Sequence, residues 1–124
     1  MLDASAAVLG LLSDGPARQT MAREAVAIPH LTDVEVAHAL RAQVLREAVT
    51  ASEAADALSA WADLGLRRYP VVSLLPRVWE LRHNLSAYDA SYVALAEALG
   101  CAVVTADVRL AGAPGPRCAI TTVR

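Results

Sequence analysis

The chain of 124 residues has the size of one ordinary domain spanning 1–124, and its 13 acidic and 11 basic residues leave a formal charge of −2, too balanced for an extended nucleic-acid platform. All 11 basic residues are arginine, which excludes a Walker A phosphate loop, a Schiff-base lysine and a lysine-dependent phospho-receiver site. Hydrophobic residues make up 56%, but 27 positions are alanine and phenylalanine is absent, so the core has to come from Leu, Val and closely packed Ala-rich helices.

Cys101 and Cys118 form no C-x-x-C pair, and the opening Met-Leu-Asp-Ala-Ser has neither a basic nor an apolar targeting region. No apolar run reaches the roughly 18 to 20 residues that cross a bilayer. The reading expects a reduced, cytoplasmic protein with no membrane segment, its cysteines small buried thiols.

In chain order, Met1 to Asp3 reads as a short strand running into a helix that carries Ala6-Ala7-Val8-Leu9 and Leu11-Leu12. A helical segment follows over Gln19 to Ala25, then a short strand at Ala27-Ile28-Pro29. Thr32-Asp33-Val34-Glu35 opens a helix with Val36, Leu40 and Val44 on one stripe, which places Glu35 in its first turn. Thr50-Ala51-Ser52-Glu53 has capping-box spacing and starts a second helix, with Ala54, Leu58, Trp61 and Ala62 apolar and Gly65 as the stop; the two form a hairpin.

Arg68 to Val72 reads as a strand and Leu74 to Arg82 as a short helix. Ser86-Ala87-Tyr88-Asp89 initiates a strong helix in which Tyr92, Val93, Ala96 and Leu99 follow at helical spacing, with Gly100 as the stop. Ala102 to Thr105 is the clearest strand, apolar as in a buried parallel sheet, and it feeds Asp107; a last strand covers Cys118 to Thr122. Alternation of this kind implies an α/β sandwich with a mainly parallel central sheet.

In such sheets functional groups collect where strands end and helices begin. Asp3 and Asp107 follow strands, while Glu35 and Asp89 open helices, so all four acids map to that edge. Carboxylates brought together repel one another and raise a pKa unless a cation compensates. Oxygen-only ligation, with no Cys and no His cluster, points to Mg²⁺ or Mn²⁺ rather than Zn²⁺. An ion so held lowers the pKa of its water and neutralises a phosphodiester during in-line attack. Ser5 and Thr105 are spaced to hydrogen-bond the carboxylates that hold it.

Asp3-Ala4-Ser5, Glu35 within Pro29 to Val36, Asp89 within Ala87 to Ala96, and Thr105-Ala106-Asp107 follow the order and context of PIN-domain ribonucleases, which the chain resembles over its whole length. The resemblance is closest to the VapC toxins of type II toxin–antitoxin systems, and Trp79 to Leu85 is typical of one of their subgroups. It implies a three-layer α/β/α sandwich and a Mg²⁺- or Mn²⁺-dependent endoribonuclease, dimeric, inhibited by a cognate antitoxin whose C-terminal segment occupies the active-site groove. By motif position Asp3, Asp89 and Asp107 are the implied metal ligands and Glu35 completes the site and orients the attacking water. Arg82 and Arg109 are candidate phosphate contacts. Two departures stand out: only Met1 and Leu2 precede Asp3, and no acid follows Asp107, which leaves a second, fully protein-held ion without ligands.

Each acid also has a structural explanation. Thr32-x-x-Glu35 and Ser86-x-x-Asp89 are capping-box spacings, and Asp3 and Asp107 are possible caps. Their co-occurrence at matching ends of strands and helices favours the shared site. Asp33, Glu53, Asp56 and Asp63 read as solvated helix charges, and Arg67-Arg68 as a solvated pair. His30, His38 and His83 lack ligand spacing, and Trp61 and Trp79 read as core or dimer-interface residues. Two alternatives keep the fold or the ion: a non-catalytic RNA-binding or antitoxin-binding module, and an acid-rich phosphatase that would act on monoesters.

Overall fold

The computed structural model describes residues 1–23 and 25–124. Its helices are α1 (Ala4–Leu12), α2 (Pro16–Arg23), α3 (Leu31–Leu45), α4 (Ala51–Asp63), α5 (Leu75–Glu80), α6 (Ala87–Leu99) and α7 (Val108–Ala111). The strands are β1 (Ala27–Pro29), β2 (Arg67–Tyr69), β3 (Val103–Thr105) and β4 (Ile120–Thr122). Every strand pairing among the described residues is parallel: β1 with β2, β3 with β4, and an isolated bridge between Leu2 and Val104.

Successive strand residues face opposite sides, and β3 shows what each side holds. Val103 packs with Val78, Val93, Ala96 and Leu110 from α5, α6 and α7. Its neighbour Val104 packs against the other cluster, where Leu2 and Ile28 meet Ala7, Val36, Leu40 and Trp61 from α1, α3 and α4. Helices on both faces of parallel strands make the three-layer α/β/α arrangement that the sequence implies.

The first expected strand shrinks to the Leu2 bridge, because Asp3 is already the N-cap of α1. The expected helix over Gln19 to Ala25 falls within and beyond α2, which starts earlier with Pro16 at its first position; residue 24 of that expectation lies outside the described residues. The strands expected over Arg68 to Val72 and Cys118 to Thr122 are three residues each, at Arg67–Tyr69 and Ile120–Thr122. Leu74 to Arg82 resolves into a 3₁₀ turn at Val72–Leu74 and α5. On α4 the buried stripe is Ala54, Ala57 and Trp61, so Leu58 and Ala62 face outward and the helix ends one residue before Gly65, at the cap Leu64.

α3 departs from expectation at its start. It begins at Leu31 with His30 in the cap position and no side-chain cap, so Glu35 stands in the second turn rather than the first. Thr32 is inside the helix with its hydroxyl buried and, among the described residues, without a hydrogen-bond partner at normal distance. Leu31 through Leu40 are drawn into the helix by burial of Val36 and Leu40 against the core, which outweighs the local capping choice.

Candidate active site

Asp3 is 5% exposed, at the point where the Leu2 bridge hands over to α1. Its Oδ1 accepts the Ala6 amide at 2.9 Å and the Ser5 hydroxyl at 2.7 Å, while Oδ2 accepts the hydroxyl of fully buried Thr105. Ser5 Oγ also accepts the Ala106 amide, and Thr105 Oγ1 accepts the Asp107 amide, each at 2.9 Å. Two hydroxyls therefore knit the end of β3 to the start of α1. The Leu2–Val104 register makes this possible by setting Asp3 beside Thr105.

Asp107 caps α7 and accepts the Arg109 amide at 2.9 Å and its guanidinium at 3.1 and 3.2 Å. That pairing holds its carboxyl below the usual range. Asp89 lies in the first turn of α6, whose N-cap Ser86 accepts the Asp89 amide at 3.1 Å. Burial, then the carboxylates of Asp3 and Asp107, push Asp89 up against the opposing help of Ser86 and Arg109. Glu35 Oε1 accepts the Tyr92 hydroxyl at 2.7 Å, yet burial outweighs that bond and, with the charges of Asp89 and Asp3, raises Glu35 as well. Burial, then the charge of Glu35 and the hydrogen bond to it, push the Tyr92 phenol far above its ordinary range.

Glu35 thus feels the charges of Asp89 and Asp3, and Asp89 those of Asp3 and Asp107, with no lysine in the chain to neutralise them. Among the described residues, no three acidic, histidine or cysteine side chains close on a common point tightly enough to hold an ion as they stand. Asp107 is engaged by Arg109 and Glu35 by Tyr92. Capping does not exhaust Asp3: a carboxylate offers about four lone-pair sites, and three are taken.

Sequence reasoning missed Tyr92 as the partner of Glu35, although its position three residues after Asp89 puts both on one helix face. It also missed Asp33, which is no free surface charge: it accepts the Trp61 indole at 2.8 Å and the Nε and Nη2 of Arg68 at 2.8 and 3.0 Å. Arg68 is accordingly not part of a solvated pair. Arg82 stacks on Trp79, 4.9 Å from the ring centroid, and bonds the Trp79 carbonyl; Trp79 is 67% exposed rather than core.

The PIN domain family model matches residues 1–115. Ribonuclease VapC9 of Mycobacterium tuberculosis is 54% identical over 123 residues, 99% of this chain and 97% of that protein. The crystal structure of PAE2754 from Pyrobaculum aerophilum superposes with a TM-score of 0.71 at 28% identity, covering 97% of this chain and 81% of the other. That of Mycobacterium tuberculosis VapC20, described as a sarcin-ricin loop cleaving toxin, superposes with a TM-score of 0.64 at 22% identity, covering 90% and 92%.

Proposed function

The chain belongs to the PIN-domain family, in its VapC ribonuclease branch, and from that premise we propose that Asp3, Asp89 and Asp107 hold one Mg²⁺ or Mn²⁺ while Glu35 completes the acidic site. The activity is endonucleolytic cleavage of RNA phosphodiester bonds, and the chain acts as the toxin of a toxin–antitoxin pair. The donor set fits a hard divalent ion, being oxygen-only and free of Cys and His. The observation that carries the reading is the network in which Ser5 and Thr105 bond the buried Asp3 carboxylate and Thr105 accepts the Asp107 amide, with Glu35 and Asp89 close enough to feel the charge of Asp3. When bound, the ion supplies charge neutralisation at the phosphodiester and acidifies water.

The chain's own residues do the rest. Ser5 and Thr105 fix the rotamer of Asp3, and Thr105 couples it to Asp107 through the Asp107 amide. Tyr92 aims Glu35, whose raised pKa suits it to take a proton from the attacking water. Arg109, exposed and beside both Asp107 and Asp89, meets the substrate phosphate; Arg82, braced on Trp79, contacts the backbone further along. The protein works in the cytoplasm as a homodimer bound by its antitoxin until released. The exposed apolar side chains of Val72 and Leu75, on one short helical stretch, support a protein-covered face. No helix among the described residues is long and apolar enough to cross a membrane.

The test is antitoxin-free protein incubated with RNA in Mg²⁺ or Mn²⁺ and then with EDTA. Cleavage that requires the ion and stops with chelation is expected. Intact RNA under every divalent condition overturns the nuclease mechanism in favour of a non-catalytic RNA- or antitoxin-binding module, and phosphate release from monoesters with RNA intact assigns a phosphatase.

A further inference from the structure

On the strand flank away from the acids, Cys101 and Cys118 occupy equivalent positions. β3 and β4 pair in parallel with Val103 opposite Ile120 and Val104 opposite Thr121, and the Val103 amide extends the ladder by donating to the Ala119 carbonyl at 2.9 Å. Cys101 and Cys118 each lie two residues before the first paired residues of those strands, Val103 and Ile120. Both side chains pack against the cluster of Val103, Val93 and Ala96. Both are half-buried and line one cleft of about 580 Å³, with Glu97, Gly100 and Arg117 around them. Cys118 lies close enough to Cys101 for the charge of one thiolate to act on the other.

We propose that Cys101 and Cys118 form a reversible modification site, in which exchange with a low-molecular-weight disulfide joins them into an intrachain disulfide that fastens β4 to β3. One cysteine thiolate attacks the small disulfide RSSR, forming a Cys–S–S–R bond and expelling RS⁻, which takes up the proton the cysteine lost. The second thiolate attacks the cysteine sulfur of that mixed disulfide, expels the other RS⁻, and leaves Cys–S–S–Cys with two RSH. Burial and the nearby Glu97 carboxylate push the Cys118 thiol up, which suits it to the second, intramolecular attack, where proximity offsets a small thiolate fraction. The cleft supplies the opening through which the small disulfide reaches the pair. The bond ties together the segments that lead into β3 and β4, upstream of Thr105 and Asp107.

The experiment treats folded wild-type protein, Cys101→Ser and Cys118→Ser with oxidised glutathione, and reads intact mass without reductant together with Tm. Wild-type protein is expected to lose two hydrogens with no glutathione retained, reversibly with dithiothreitol, and to gain about 5 °C or more in Tm, since the bond closes a loop between positions 17 apart. Each single variant stops at one glutathione adduct with no such gain. Two adducts per wild-type chain, disulfide-linked dimers, an unchanged mass, or an internal bond that lowers Tm overturns the proposal.

Discussion

Thr50 and Glu53 exchange both bonds of a capping box, Ser86 and Asp89 form only the half in which Ser86 accepts, and Thr32 and Glu35 form neither. The three segments share one sequence spacing, but Thr32 lies inside α3 instead of at its cap, and the surroundings of the acids differ: open solvent for Glu53, other carboxylates for Asp89, and other carboxylates with Tyr92 for Glu35. Local sequence shows the spacing and cannot show the surroundings. Replacing Asp89 with Asn removes a charge whose pKa the fold has raised. A raised carboxyl costs the folded state stability once ionised, so wild-type stability falls as pH rises from the ordinary carboxylate range through the folded pKa. Calorimetry of the ion-free protein should therefore show Asp89→Asn with a Tm at or above wild type near pH 7, the advantage shrinking toward about pH 4, while RNA cleavage falls at least about a hundredfold. A lower Tm at neutral pH would count against the repulsion account. Thr105→Val removes the hydroxyl that links Asp3 to Asp107 and should cost about 10- to 100-fold in ion affinity or activity by titration and cleavage assays. Arg109→Ala frees Asp107 and deletes a phosphate contact, so Mn²⁺ should bind more tightly and RNA more weakly, as calorimetric titration of each would show.

α3, α4 and β2 are tied at Asp33, which bonds Trp61 of α4 and Arg68 of β2 together. Nothing in the segment Thr32-Asp33-Val34-Glu35 distinguishes Asp33 from a solvated helix charge, because its partners come from 28 and 35 residues away. Asp33→Ala strands the indole N–H of a residue only 2% exposed, and denaturant unfolding should report a loss of about 1–3 kcal/mol. The Arg68 guanidinium holds the Asp33 carboxyl low. Its contribution is thus present above the ordinary carboxylate range and fades as pH falls through the depressed folded value, the reverse of Asp89. α1 and α2 meet at Gly10, where a Cβ would collide with Met21 Sδ and press on the Ala17 backbone. Gly10→Ala accordingly overpacks that crossing and should cost roughly 1–3 kcal/mol by the same measurement.

At the scale of the molecule, the order of elements was legible because strong local signals mark them: caps at Thr50 and Ser86, a left-handed Gly100 closing α6, and the apolar run of β3. Strand lengths, the start of α3 and the exposure of Trp79 were not, since each is decided by packing between distant segments. The acids are proposed from order and context; their partners Tyr92 and Arg109 needed three dimensions. The most direct measurement is calorimetric titration of the antitoxin-free protein with Mn²⁺, on wild type and on Asp3→Asn, Asp89→Asn and Asp107→Asn. A saturable site on wild type, accompanied by a rise in Tm and lost or much weakened in all three variants, is what a shared acidic site predicts. Absence of saturable binding to wild type, or affinity unchanged by the three substitutions, would contradict it.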